Sequence, residues 1–113
     1  MAIREHSIYD CILSNAQNFA GETALVSGDL RLTFAEVPLH VNCLARGLRS
    51  TGFEKGDRIA VLLDNCAEYA LLLAACSRIG LITVCLNTRT SADEMCKVLE
   101  NTKPKALLFQ TSY

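Results

Sequence analysis

The chain has 113 residues, half of them apolar, and its 11 Lys and Arg residues nearly balance 12 Asp and Glu residues. This length suits one domain or part of one, and it is sufficient to bury a core. The near-neutral charge gives no attraction to nucleic acid or an anionic membrane, and no apolar run reaches the roughly 18 residues that cross a bilayer.

The first predicted elements are a helix and a hairpin. The helix starts after Ser7 and can end at Gly21, because apolar residues recur between them at helical spacing. These apolar residues are Ile8, Ile12, Ala16 and Phe19. Residues 23–26 and 30–32 are short strand candidates on either side of a Ser-Gly-Asp turn at residues 27–29.

A second helix is predicted after Thr33, which can form a capping box with Glu36. Its buried stripe would consist of Val37, Val41, Leu44, Ala45 and Leu48. The helix ends near Thr51, because Gly52 follows. Pro38 would occupy the fifth helical position and remove a backbone donor there, so we expect a distorted first turn.

From residue 58 onward the pattern alternates between strands and helices. Apolar runs at residues 58–63, 82–86 and 106–109 predict three strands, and their even spacing leaves room for one helix in each crossover. Successive strands joined in this way form a parallel sheet. The predicted fold class is therefore α/β, with an open, mainly parallel sheet, flanking helices and a short amino-terminal hairpin.

Two further capping boxes are predicted to start the crossover helices. They pair Asn65 with Glu68 and Ser91 with Glu94. The first of these helices, residues 66–79, is apolar nearly all round, which predicts burial on both of its sides.

Two stretches resemble core motifs of the adenylate-forming enzymes, the acyl-CoA synthetase, luciferase and peptide-synthetase adenylation group. Residues 32–37, Leu-Thr-Phe-Ala-Glu-Val, match the first motif, whose capping geometry is structural. Residues 79–87 match the second, although Cys85 stands where Pro is usual before Leu-Asn. The resemblance covers roughly residues 7–109. It implies that residues 1–113 are a single partial domain, the amino-terminal portion of the family's larger AMP-binding domain.

The resemblance also implies the chemistry of a parent enzyme. A carboxylic acid:CoA ligase of this family, as in fatty acid metabolism, uses ATP and Mg²⁺ to form an acyl-adenylate and then an acyl-CoA thioester. The family's phosphate loop, acidic metal ligand and catalytic Lys lie beyond Tyr113. We therefore expect an inactive fragment with no catalytic or metal-binding residue and no tight binding of ATP, Mg²⁺ or CoA. Its partner would be the remainder of the parent enzyme.

Arg89 is the one side chain to which the resemblance assigns a ligand. In CoA-ligating members an Arg two residues after the motif's Asn can contact the phosphorylated nucleotide part of coenzyme A, and Arg89 keeps that spacing after Asn87. A guanidinium suits this role because it stays charged and can bind two phosphate oxygens. The acyl substrate stays open, as does the choice between a CoA ligase and a peptide-synthetase adenylation domain.

The remaining candidates favour structural roles. Asp64 follows a strand and is interpreted as a turn residue. His6 and His40 lack partners at metal-ligand spacing. The six cysteines form no Cys-x-x-Cys pair, so we expect reduced, mostly buried thiols in a cytoplasmic protein.

Two alternatives remain beside the ligase fragment. One is a stand-alone flavodoxin-like binding or regulatory module, whose ligand loops would be residues 64–65 and 87–89 at the strand ends. The other is an interaction protein that associates with itself through an exposed sheet edge. Light scattering would distinguish this second alternative from a monomer.

Overall fold

The computed structural model describes residues 7–110, which form four helices and five strands. In chain order these are α1 (Ile8–Asn18), β1 (Thr23–Ser27), β2 (Leu30–Thr33), α2 (Val37–Ser50), β3 (Arg58–Leu62), α3 (Ala67–Ile79), β4 (Ile82–Cys85), α4 (Ala92–Thr102) and β5 (Ala106–Phe109). His6, for which the sequence favoured a structural role over metal binding, lies outside the described residues. No helix in the described part is long and apolar enough to cross a membrane.

The three later strands form the predicted parallel sheet. β3 lies in the centre and pairs in parallel with β4 on one side and β5 on the other. β1 and β2 form a separate antiparallel hairpin, in which Ser27 pairs with Leu30 across a two-residue turn. Gly28 occupies the first turn position with φ of 58°, a backbone region that favours glycine. The predicted α/β fold class is therefore confirmed.

Alternate residues of β3 face two different cores. Ile59 and Val61 belong to the larger core, which α1, α2 and α3 cover. Ala60 and Leu62 face the opposite side of the sheet, where Met95 and Leu99 of α4 pack against them. Strands buried on both faces read as continuous apolar runs, which is why the sequence pattern identified β3.

Helix α1 begins where predicted but buries a different face. Ser7 Oγ accepts a hydrogen bond from Asp10 N at 3.2 Å, and Asp10 Oδ2 accepts one from Ser7 N at 3.0 Å, which together form a capping box. The predicted stripe was partly wrong, because Ile8 and Phe19 are 58% and 48% exposed. Tyr9 is buried instead, and it shares helical spacing with the partly buried Ile12.

Helix α2 begins later than predicted. Thr33 and Glu36 do form the reciprocal capping box, with Thr33 N donating to Glu36 Oε1 at 3.0 Å and Glu36 N donating to Thr33 Oγ1 at 3.3 Å. A turn separates Thr33 from the first helical residue, Val37. Pro38 is thus in the first helical turn, where a missing backbone donor has no intrahelical partner to lose. The expected distortion at a fifth helical position was wrong for that reason.

The predicted caps of α3 and α4 formed only in part. Ser91 caps α4, because its Oγ accepts from Glu94 N at 3.3 Å, which is one of the two hydrogen bonds of the predicted box. The Asn65 box was wrong, because Cys66 is the N-cap of α3 and makes no side-chain capping bond. Gly80 ends α3 in the left-handed conformation with φ of 76°, as expected for a helix terminator.

Most cysteines are exposed, although the sequence predicted burial. All six are free thiols, but four are exposed, Cys66 is half-buried and only Cys76 belongs to the core. The exposed ones are Cys11, Cys43, Cys85 and Cys96. The prediction failed because a helix or strand position does not by itself decide which side of the element faces the core. Burial raises the pKa of the Cys76 thiol, opposed by a hydrogen bond with Thr83.

Candidate functional site

A cleft lies at the carboxyl ends of β3 and β4, the edge of a parallel sheet where ligands usually bind. Its volume is about 510 Å³. The loop that leads from β3 to α3 forms one wall, and the loop between β4 and α4 forms the other. The lining residues are Leu63, Asp64, Asn65, Tyr69, Leu86, Asn87, Thr88 and Arg89.

The loop that carries Arg89 is held by its own hydrogen bonds. Asn87 Oδ1 accepts from Arg89 N at 2.9 Å, and the Asn87 carbonyl accepts from Thr90 Oγ1 at 2.7 Å. Leu86, just before this turn, is buried, and its backbone N donates to Val61 O at 2.9 Å. The turn therefore presents the exposed Arg89 at the sheet edge from a fixed backbone.

The opposite wall of the cleft is hydrogen-bonded to Gln110, the residue that follows β5. Asp64 N donates to Gln110 Oε1 at 2.6 Å, and Gln110 N donates to Leu62 O at 3.3 Å. Asp64 lies in the loop between β3 and α3, as its interpretation as a turn residue requires. Residues 64–65 and 87–89, which the sequence placed at two strand ends, thus line one cleft.

Tyr69 forms the inner side of the cleft. Burial and a hydrogen bond with the Cys85 side chain raise the pKa of the Tyr69 phenol to about 12. The phenol therefore stays neutral at physiological pH and can take part in hydrogen bonds without carrying charge. The sequence did not point to Tyr69 or Gln110, because their positions depend on how the elements pack.

The cleft combines two opposite charges with neutral polar groups. Arg89 supplies a permanent cation and Asp64 a carboxylate, while Asn65, Asn87 and Thr88 supply neutral polar groups. Within residues 7–110 no group of three or more His, Cys, Asp or Glu side chains is placed to hold a metal ion. One guanidinium can bind phosphate oxygens, but firm phosphate recognition needs several converging donors.

Comparison with known proteins identifies the family to which this chain belongs. Residues 13–113 match the AMP-binding enzyme family. The chain belongs to that family, and the resemblance found in its two core motifs is confirmed.

Particular members of the family match most of the chain. The human mitochondrial medium-chain acyl-CoA ligase ACSF2 is 33% identical over 113 residues, which cover 98% of this chain and 18% of that protein. The long-chain-fatty-acid–CoA ligase FadD13 of Mycobacterium tuberculosis H37Rv is 32% identical over 83 residues, covering 74% of this chain and 16% of that protein. The chain thus spans less than a fifth of the length of these curated relatives.

A solved structure shows the same fold. The o-succinylbenzoate coenzyme A synthetase MenE of Bacillus subtilis, in complex with ATP and magnesium ion, superposes with a TM-score of 0.88 at 32% identity. The match covers 97% of this chain and 30% of the MenE chain. The hairpin, helices and parallel sheet described above therefore match part of the larger MenE chain.

Proposed function

We propose that this chain is the amino-terminal part of the AMP-binding domain of an ATP-dependent carboxylic acid:CoA ligase. The observation that carries the proposal is the agreement with acyl-CoA ligases in both sequence and fold over nearly all of the chain. In the parent reaction the carboxylate oxygen attacks the α-phosphorus of ATP and pyrophosphate leaves. The CoA sulfur then attacks the acyl carbonyl and AMP leaves, which splits one difficult substitution into two easier ones.

In this proposal the 113 residues are a scaffold and do not catalyse the reaction by themselves. Their partner is the remainder of the parent enzyme, which supplies the ATP site, Mg²⁺ binding and the acyl pocket. The small share of each relative that the chain covers supports this division. We also propose a cytoplasmic location, because free thiols persist in a reducing compartment.

Arg89 contributes to CoA binding in this proposal. Its side chain is exposed at the carboxyl edge of the sheet, and its backbone is fixed by Asn87. A guanidinium in this position can contact a phosphate of the CoA nucleotide. Binding of CoA by this chain alone would be weak, because Arg89 would act without the further phosphate contacts that the rest of the enzyme supplies.

Calorimetric titration with CoA and with dephospho-CoA tests the role of Arg89. We expect weak CoA binding that falls about tenfold in Arg89→Ala, because a charge-assisted hydrogen bond is lost. Dephospho-CoA should bind the unmodified chain and Arg89→Ala equally if Arg89 contacts the ribose phosphate.

The matched control is Arg31→Ala, which removes one exposed guanidinium from β2 and leaves the Arg89 cleft intact. This variant should retain CoA binding that depends on Arg89. Equal affinity of Arg89→Ala and the unmodified chain would contradict the assignment of Arg89.

A further inference from the structure

A second cleft lies away from the Arg89 cleft, between the carboxyl-terminal halves of α2 and α3. Its volume is about 360 Å³, and its lining residues are Asn42, Ala45, Arg46, Arg49, Arg78 and Ile79. Because α3 ends next to the start of β4, this cleft is at the amino-terminal edge of the sheet. Arg89 is at the opposite edge, so the two clefts are separate sites.

Three arginines from two helices converge on this cleft. Arg46 and Arg49 are three residues apart on α2 and therefore neighbours on its surface, and Arg78 faces them from α3. Within residues 7–110 none of the three forms an ion pair with a carboxylate, and the lining includes no acidic residue. Three cations thus share one concave surface without a neutralising group from this part of the chain.

Arg78 is held in place by an aromatic ring. Its guanidinium carbon lies 4.0 Å from the centroid of the Tyr9 ring, a cation–π distance. Tyr9 is itself buried, and its hydroxyl donates to Asn42 Oδ1 at 3.0 Å. The stack fixes the guanidinium at the rim of the cleft before any ligand binds, so less side-chain freedom is lost on binding.

Two buried apolar side chains line the cleft beside the arginines. Ala45 and Ile79 are 4% and 8% exposed. Charge-assisted hydrogen bonds are stronger beside such a surface than in bulk water, since the local dielectric is lower.

Helix dipoles explain only part of this arrangement. Arg49 and Arg78 are in the last turns of α2 and α3, where a cation interacts favourably with the negative helix end. Arg46 is outside the last turn and gains little from that effect. Its convergence with the other two points to a ligand with more than one negative charge.

We propose that this cleft binds a soluble small molecule that carries a diphosphate or a comparably charged phosphate group. A single carboxylate has two oxygens and one charge, which one guanidinium can satisfy. Three guanidinium groups match the several oxygens and the multiple charge of a diphosphate. The inference does not depend on the proposed ligase function, because it uses other residues at the other edge of the sheet.

Calorimetric titration of inorganic pyrophosphate into the 113-residue chain, without divalent cations, tests the site. We expect saturable binding of one pyrophosphate per chain. Arg46→Gln/Arg49→Gln should weaken the affinity about tenfold or more, because two charge-assisted contacts are lost. Both side chains are exposed, so the fold should persist, and circular dichroism checks that it does.

The control variant Arg31→Gln/Lys97→Gln removes the same charge from exposed positions outside both clefts. Its affinity for pyrophosphate should stay within about twofold of the unmodified chain, because distant exposed charges are screened. Absence of saturable binding to the unmodified chain would overturn the proposal. An equal loss in both double variants would also overturn it, since only net charge would then matter.

Discussion

Tyr69 lines the Arg89 cleft, and its raised pKa makes the stability of the fold depend on pH. Burial and the contact with Cys85 favour the protonated phenol in the folded chain and raise its pKa from 10.0, the value of an unperturbed Tyr, to about 12. Between these values the folded chain keeps a proton that the unfolded chain has released. Stability should therefore fall as the pH rises from about 10 to about 12.

Tyr69→Phe should remove this part of the pH dependence, because Phe has no titrating group. Urea denaturation of both chains at several pH values measures it. The difference in unfolding free energy between them should be constant below pH 10 and change in favour of Phe as the pH approaches about 12. A constant difference over the whole range would show that the Tyr69 pKa is not raised.

At the residue scale, a short motif identified a position that the structure places in a cleft, and the role of that position stays a prediction. Arg89 was found because its spacing after Asn87 matches a family motif, and the structure places it in a cleft. Tyr69 lines that cleft from a helix face, and Gln110, which follows β5, accepts a hydrogen bond from Asp64 in the cleft wall. No local pattern encodes such contacts, so they emerge only from packing.

The hydrogen bonds between Thr33 and Glu36, before α2, allow a test of whether the first family motif stabilises the fold. Thr33→Ala removes the oxygen that accepts from Glu36 N and should destabilise the chain by about 1 kcal/mol. Thr33→Ser keeps that oxygen and should be close to the unmodified chain. Urea denaturation compares the three. Equal stability of the Ala and Ser variants would contradict the capping role.

Gly80 at the end of α3 and Gly47 inside α2 offer a second test, because they differ in backbone conformation and in the space around them. Gly80 has a positive φ of 76°, and an added Cβ would lie 2.7 Å from Lys55 Cγ. Gly80→Ala should therefore destabilise the chain by about 1–2 kcal/mol. Thermal unfolding provides the measurement.

Gly47 is the matched control for Gly80. It lies inside α2, and an added Cβ there would meet nothing within 4 Å. Gly47→Ala should stabilise the chain by about 0.5–1 kcal/mol, because Ala loses less backbone freedom in a helix. Similar effects of the two substitutions would contradict the left-handed assignment of Gly80.

Elements with strong apolar periodicity were predicted more accurately than their ends. β3 and β5 are continuous apolar runs, and both were placed within one residue. The start of α2 was wrong because a capping box can precede a turn before the helix begins. The start of α3 was placed within one residue, but the Asn65 and Glu68 box was wrong, because the right spacing alone does not form it.

At the scale of the whole molecule, the sheet edge is the feature that could bring two chains together. Within the described residues β5 pairs only with β3, and Phe109 is 53% exposed. An apolar edge strand can pair with another chain. We therefore predict that the average mass measured by static light scattering rises with concentration.

Phe109→Lys should keep the chain monomeric, because a charged residue disfavours edge pairing. Leu39→Lys is the control, since Leu39 is 65% exposed on α2, away from the sheet. It should associate like the unmodified chain. A monomeric unmodified chain at high concentration would contradict edge pairing.

The central claim is that these residues are a scaffold without an ATP site of their own. Calorimetric titration of Mg²⁺-ATP into the Arg46→Gln/Arg49→Gln chain tests it most directly, because the proposed diphosphate cleft is then weakened. The scaffold account predicts no saturable heat from a chain that circular dichroism shows to be folded. Clear, saturable binding would contradict it, because the 113 residues would then form a nucleotide site on their own.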